Sequence, residues 1–537
     1  MVEEIRADVL VAGGGMGGIM AAERARLAGA RVVLLTALPG ASTRMAGFAT
    51  AIGEGAGDRP QDLFDDMFVA GGFVNSAPML AALTNRIGRE TRFFEELGIP
   101  YVRQSDEPGA PLARRQASGV TRPRAAYSRE MVGDQAMKAL LERLRSAGSP
   151  QVRVLDNGFL FDVEVADGRV CGGLARLRSD KAWIHVAAPA VVLATGGCGR
   201  LYRKTTNFLG STGMGYAMAL EAGAQLVDME FVSFEPSVAI GPERVANMEL
   251  PTMAFSDGAR LLNSEGESFV STQPPASKDV MSRAIMREVA EGRGSPAGGV
   301  YYDMKEMDPE VAASYQQIRR ILRALDLPPG EAEIEVGPFQ HYMMGGIRTD
   351  ETAASRVPGL FAVGEVAGGA HGAHRLATCG GSEVIAMGAI AGEAAAHHAL
   401  LHQDLPAVPE PAAAPELLDT DLGDGDRAIL EEIRDALEEG CWVLRDHRRL
   451  EAARLAITAI RDRLADQGRA KTFIGRSALV AAAIAESAAR REESRGDHYR
   501  TDFPDRDDRS WFGNLVADLG PSGSLTVSFE PITARPA

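Results

Sequence analysis

Gly13, Gly15 and Gly18 fall at the spacing G-x-G-x-x-G within the run Gly13-Gly-Gly-Met-Gly-Gly18. In this pattern the first glycine permits a tight turn, the second lets backbone approach a pyrophosphate, and the third lets a helix pack on a strand. The chemistry implied is dinucleotide binding, with Met16 and Gly17 opening a helix whose N-terminus faces the phosphates. The elements needed to hold that turn stand on either side of it. Val9-Leu-Val-Ala12 reads as a buried strand, an alanine-rich amphipathic stretch follows, and Arg31-Val-Val-Leu-Leu35 reads as the next strand. Together they form a βαβ unit. At the end of its second strand, where an acid often meets the ribose hydroxyls, the chain carries Thr36, a weaker hydrogen-bonding group.

Two more apolar runs, Ala187 to Gly197 and Gly359 to Glu365, have the same buried-strand character but lie about 170 residues apart, too far for a loop. The expectation is that both return to one sheet and that the stretch between them folds as an insertion. Within it, Met281, Ala284, Ile285 and Val289 recur at helical spacing. The proline- and alanine-rich run after Leu405 reads as a linker, the mixed charges from Asp426 to Arg491 as solvent-laced helices, and the last residues as an extended tail.

Composition narrows the function classes. With 45% hydrophobic and 24% charged residues over 537 positions, the chain is globular rather than disordered. Its 73 acidic against 57 basic residues, net charge -16, oppose binding to a phosphate backbone, so nucleic acid is not expected as a partner. Cys171, Cys198, Cys379 and Cys441 are too scattered for a disulfide framework or a metal pair, so no metal site is expected. The acidic N-terminus lacks the pattern of a signal peptide, and no uninterrupted apolar stretch reads as a membrane span. A cytoplasmic protein is the expectation.

Longer motifs carry a more specific signal. They are Ala194-Thr-Gly-Gly-Cys-Gly-Arg-Leu-Tyr202, Thr205-Thr-Asn207, Thr212-Gly-Met-Gly-Tyr-Ala-Met218 and Asp228-Met-Glu-Phe231. Further along come Ser277-Lys-Asp-Val-Met-Ser-Arg-Ala-Ile285, His341-Tyr-Met-Met-Gly-Gly-Ile347, Gly364-Glu365, Gly372-Ala-His-Arg-Leu376, Glu493-Ser-Arg-Gly-Asp-His498 and Asp502 to Asp508. In order and spacing, the chain resembles the flavoprotein subunits of succinate dehydrogenase and fumarate reductase, including L-aspartate oxidase, from end to end. The resemblance implies an α/β fold: a Rossmann-like FAD-binding domain (1–235 and 337–405) interrupted by an α+β capping domain (236–336). A linker (406–424), a C-terminal helical domain (425–512) and a tail (513–537) would follow.

The implied cofactor is FAD, held by Gly13, Gly15, Met16, Gly17, Gly18, Thr36, Ser42, Thr43, Thr195, Gly196, Gly364, Glu365, Arg375, Gly380 and Gly381. Many relatives attach FAD through a histidine after the second strand. Here that place reads Ser42-Thr-Arg-Met45 and the first histidine is His185, so non-covalent FAD is expected. Hydride would pass between flavin N5 and a substrate carbon while the protein positions an acidic substrate. His341 and Arg375 occupy positions that hold the dicarboxylate in relatives, and an arginine fork suits a carboxylate. Taken alone, His341 would read as an interior histidine and Arg375 as part of an ion pair.

Four departures from the family pattern set this chain apart. Ser233-Phe-Glu-Pro236 places Glu235 where relatives have a histidine, and Lys278 replaces the proton-shuttling arginine. Lysine can relay a proton but cannot form the fork, and on its own it also reads as a surface residue. Pro251-Thr252 stands where relatives carry a Thr-Glu pair. Cys379-Gly-Gly381 and Met214 replace further flavin contacts, with Cys379 read as a packing residue and the glycine amides as substitute donors. The expected activity is a dehydrogenase or reductase acting beside a carboxylate or carbonyl, on a substrate other than succinate. Glu235 would read the far end of that substrate or act as base. Alternatives are an amino-acid oxidase of the aspartate-oxidase type, a subunit passing electrons to a separate iron–sulfur partner, and a non-catalytic scaffold.

Overall fold

The computed structural model describes residues 3–533 apart from 54–57, 108, 118, 180–181, 273–275, 329–331 and 406–420. The expected linker therefore lies mostly outside the described residues. Every residue of the strand Val9–Ala12 is buried, and a strand without polar alternation needs cover on both faces. It is the middle strand of a five-stranded parallel sheet in the order Leu360–Ala362, Ala190–Leu193, Val9–Ala12, Val32–Thr36, Val152–Asp156. The two apolar runs distant in sequence are thus adjacent strands, Val192 opposite Phe361.

Alternate residues of these strands feed two cores. Val9, Val11 and Leu34 pack with Ile19, Leu83 and Ile385 from the helices Met16–Leu27, Ala77–Glu96 and Cys379–Leu401. Leu10, Val33 and Leu35 pack with Ile184, Tyr216 and Ile474 on the opposite side. The helix Cys379–Leu401 is long and apolar enough, by length and composition alone, to cross a membrane, although Glu383 and Glu393 interrupt its apolar run. Here it lies in the core against Met16–Leu27 and Ala77–Glu96, and its small residues serve close packing. A Cβ at Gly392 would stand 2.2 Å from the Ala21 carbonyl oxygen.

The insertion has its own four-stranded antiparallel sheet, Val232–Ala239, Glu333–Met343, Val300–Asp303 and Arg260–Leu262, with the helices Lys278–Ala290 and Gln316–Leu325. Met281 and Ile285 point into its core, as their spacing predicts. The sheet's two long strands begin before residue 236 and end after 336, so they run continuously from the FAD-binding part into the cap.

Three helices follow, Asp424–Gly440, His447–Asp466 and Phe473–Arg490. The final segment is not an extended tail. Gly513–Leu519 and Leu525–Pro531 form a hairpin that joins the edge of Leu226–Val227, burying Leu515, Val516 and Ala517, and Asn514 donates to the Asp228 carboxylate. Glycine, serine and proline mark the turn between strands rather than disorder.

Candidate active site

A cavity of about 480 Å³ runs along the carboxyl ends of the parallel strands, from the glycine turn to Arg375. Gly13 has φ +126° and lies so close to the next strand that a Cβ would meet the Ala194 carbonyl oxygen at 2.1 Å. Gly15, the N-cap of the helix Met16–Leu27, opens on the cavity instead, with Ser42 Oγ the nearest atom to such a Cβ at 3.8 Å. Met16 N–H donates to Ser42 Oγ (3.2 Å), which fixes the turn Ala41–Arg44 over the helix start.

Of the residues expected at a cofactor, Gly13, Gly15, Met16, Gly17, Ser42, Thr195, Gly196, Gly364, Glu365, Arg375, Gly380 and Gly381 line this cavity. Gly18, Thr36 and Thr43 do not. Gly18 packs against the Gly13 carbonyl, Thr36 donates its hydroxyl to Asp156 (2.8 Å), and Thr43 donates to the Gly40 carbonyl (2.9 Å). Of the glycine amides expected as donors, that of Gly381 already donates to the Thr378 carbonyl (3.2 Å). Cys379 is buried with its thiol pushed up to about 12 by burial, a packing residue.

The lining fits FAD on its own terms. The hydroxyls of Thr195 and Thr378, on the cavity wall, are buried with no hydrogen-bond partner among the described residues and are left for a ligand. Glu365 lies beneath them, its carboxylate accepting from Met343 N–H (3.0 Å) and its carbonyl from the Tyr216 hydroxyl. Burial pushes its carboxyl up to about 7.

The residues expected on the substrate side, Glu235, Lys278, His341 and Arg375, come from four places in the chain. His341 sits at the end of the strand Glu333–Met343, its Nδ1 2.8 Å from Thr206 Oγ1 and its carbonyl accepting from the Asn207 amide (2.9 Å). Burial, then the charges of Lys278, Arg375 and Arg44, hold its imidazole well below the usual histidine range, so it is neutral. Its Nε2 faces Glu235 Oε2 at 3.9 Å. Arg375 lies on the turn before the helix Cys379–Leu401, its guanidinium carbon 4.3 Å from the centroid of the Tyr342 ring. A Cβ at Gly380 would stand 3.2 Å from Arg375 Nη1, so the glycine makes room for the guanidinium. That turn is fixed from behind by His374 Nδ1, 2.7 Å from Asp497 Oδ2.

Lys278, the first residue of its helix, closes an ion pair on Glu235 of the adjacent strand. Neither side chain lines the main cavity; the pair stands beyond His341. Arg283, five residues on, turns instead to Asp279 (2.7 Å) and to the ring of Tyr499. Glu249 and Arg44 are among the cavity-lining residues that the sequence pattern does not single out. Glu249 faces Arg44 at 3.3 Å, a contact between the cap and the FAD-binding part, and its carboxyl is raised by burial and by Glu235. Arg44 lies within Ser42-Thr-Arg-Met45, and Glu249 two residues before Pro251.

Comparison with known proteins matches two family models, an FAD binding domain over residues 8–380 and the fumarate reductase flavoprotein C-terminal domain over 430–537. The chain belongs to the fumarate reductase and succinate dehydrogenase flavoprotein family. It is an FAD-dependent oxidoreductase of that type. A fumarate reductase (CoM/CoB) chain from Methanothermobacter marburgensis is 33% identical, covering 83% of this chain and 84% of the relative. L-aspartate oxidase of Streptomyces coelicolor is 34% identical, covering 97% and 93%. Among solved structures, a variant of the E. coli quinol fumarate reductase FrdA chain superposes with TM-score 0.86 at 26% identity, covering 100% and 99%.

Proposed function

We propose that this family member oxidises or reduces a C–C bond next to a carboxylate or carbonyl, on a substrate other than succinate. The observation that carries this is the site's mixed inheritance: His341 and Arg375 face the cavity, while Lys278 and Glu235 have replaced the arginine and histidine expected at their positions. Bound FAD supplies two-electron chemistry, exchanging hydride with a substrate carbon. Arg375 grips a carboxylate through its fork, and Tyr342 beneath it fixes the plane of the guanidinium. Neutral His341 donates from Nε2 to the substrate and carries no charge into the site. Lys278 holds the proton exchanged with the neighbouring substrate carbon, and Glu235 keeps the ammonium oriented.

Anaerobic mixing of the yellow enzyme with a panel of carboxylic and amino acids tests the reading. Loss of flavin absorbance with at least one acid is expected, and no bleaching with any would refute it.

Electrons leaving the flavin need an exit. The four cysteines are buried and unpaired, which suits a reducing, cytoplasmic setting and directs those electrons to a soluble carrier or a second polypeptide. The naming of relatives as subunits favours the second polypeptide. Copurification of an iron–sulfur protein would support this route; release of peroxide in air would point to an oxidase.

A further inference from the structure

Three arginines line the main cavity, and two of them are already neutralised. Arg44 pairs with Glu249, and Arg476 pairs with Glu221 at 2.6 Å. Just beyond the wall, Lys278 pairs with Glu235. Arg375 makes no ion pair among the described residues, and its Nε is buried without a hydrogen-bond partner. His341, between these groups, is neutral. The charge balance therefore leaves one cation for a ligand. Acceptors are in surplus: Glu249 Oε2, on the cavity wall, and Glu235 Oε1, behind it, take no hydrogen bond among the described residues.

We infer that the site selects a substrate with one carboxylate, held by Arg375, whose other end presents an amide, hydroxyl or ammonium donor to Glu249, with Glu235 behind it, rather than a second carboxylate. This rests on the reading of the cavity as a carboxylate site and narrows it. A second carboxylate at the far end would meet two cations whose charge is already balanced, beside two acids. To bind, it must break an ion pair or protonate one acid, and either costs affinity in a largely buried place. An N–H or O–H donor needs neither, and it satisfies acceptors that are otherwise left to water. Discrimination of this kind is strong because the wrong group leaves buried polar atoms unmatched.

The test is a spectral titration of the FAD-loaded enzyme with matched pairs that differ by one carboxylate-to-carboxamide change. The pairs are fumarate and its monoamide, succinate and its monoamide, and L-aspartate and L-asparagine. At least one amide is expected to perturb the flavin spectrum at a concentration about tenfold or more below that of its dicarboxylate partner. Glu235→Gln frees the charge of Lys278, so in that variant the dicarboxylate should gain about tenfold relative to the amide. Dicarboxylates that bind as well as or better than the amides in the unaltered enzyme would overturn this inference while leaving the carboxylate site intact. If none of the six acids perturbs the spectrum, the carboxylate site itself falls, and this inference with it.

Discussion

Lys278 and Glu235 are each other's partner. The ammonium at the first turn of the cap helix rests on the carboxylate of the neighbouring strand, within reach of His341 Nε2. By the resemblance, lysine in place of arginine leaves the charge unchanged, whereas glutamate in place of histidine adds a negative one. As a pair they balance each other's charge next to His341.

Lys278→Met is expected to slow flavin reduction by about 100-fold, the usual worth of a general acid or base. FAD content should not change, because Lys278 does not line the main cavity. Since the two side chains act as a unit, adding Glu235→Gln should cost much less than its effect alone. Stopped-flow flavin reduction of the four enzymes measures this; an unaffected rate in Lys278→Met would return the lysine to a structural role.

FAD should leave the protein on denaturation. The segment Ser42-Thr-Arg-Met45 offers no histidine, and Ser42 Oγ is occupied by the Met16 amide. Acid precipitation is expected to give a colourless pellet and a yellow supernatant. Colour retained in the washed pellet would show a covalent link.

Burial pushes the carboxyls of Glu365 and Glu383 up to about 7 from an ordinary 4.5. A raised carboxyl binds its proton more tightly in the folded state, so its contribution to stability is complete below 4.5 and is lost as pH rises through 7. FAD-free protein should therefore weaken across that window. Glu365→Gln should flatten the dependence by one proton, about 1.4 kcal/mol per pH unit. Denaturant unfolding at a series of pH values reads the slope, and an unchanged slope in the variant would contradict the assignment.

Leu515→Ala is expected to destabilise the protein by about 2–5 kcal/mol, because the side chain is fully buried where the final hairpin meets Leu226–Val227. A mobile tail would tolerate the change within about 0.5 kcal/mol. Chemical denaturation of the FAD-bound protein separates the two.

The parts of the fold written in local pattern are legible in the sequence. The glycine spacing, the apolar runs around Val9, Val191 and Phe361, and the helical recurrence of Met281 and Ile285 each report burial directly. What escapes is set by distant partners. Leu515 belongs to a strand only because the edge of Leu226 awaits it, and glycine, serine and proline around it mask the alternation. Thr36 is drawn away from the cavity by Asp156, 120 residues later. Lys278 and Glu235 read as separate oddities until a helix and a strand 43 residues apart bring them together. The same holds for Glu249, whose role depends on Arg44 in another part of the molecule.

Arg375 is the one cavity arginine without an ion pair among the described residues, and the grip on a substrate carboxylate depends on it. The most direct test of that grip is anaerobic flavin absorbance of Arg375→Ala beside the unaltered enzyme, with the acid that bleaches the latter. The variant should stay yellow, with its FAD still bound and its flavin unreduced. Bleaching at the unaltered rate, or a protein that takes up no FAD before any substitution, would contradict it.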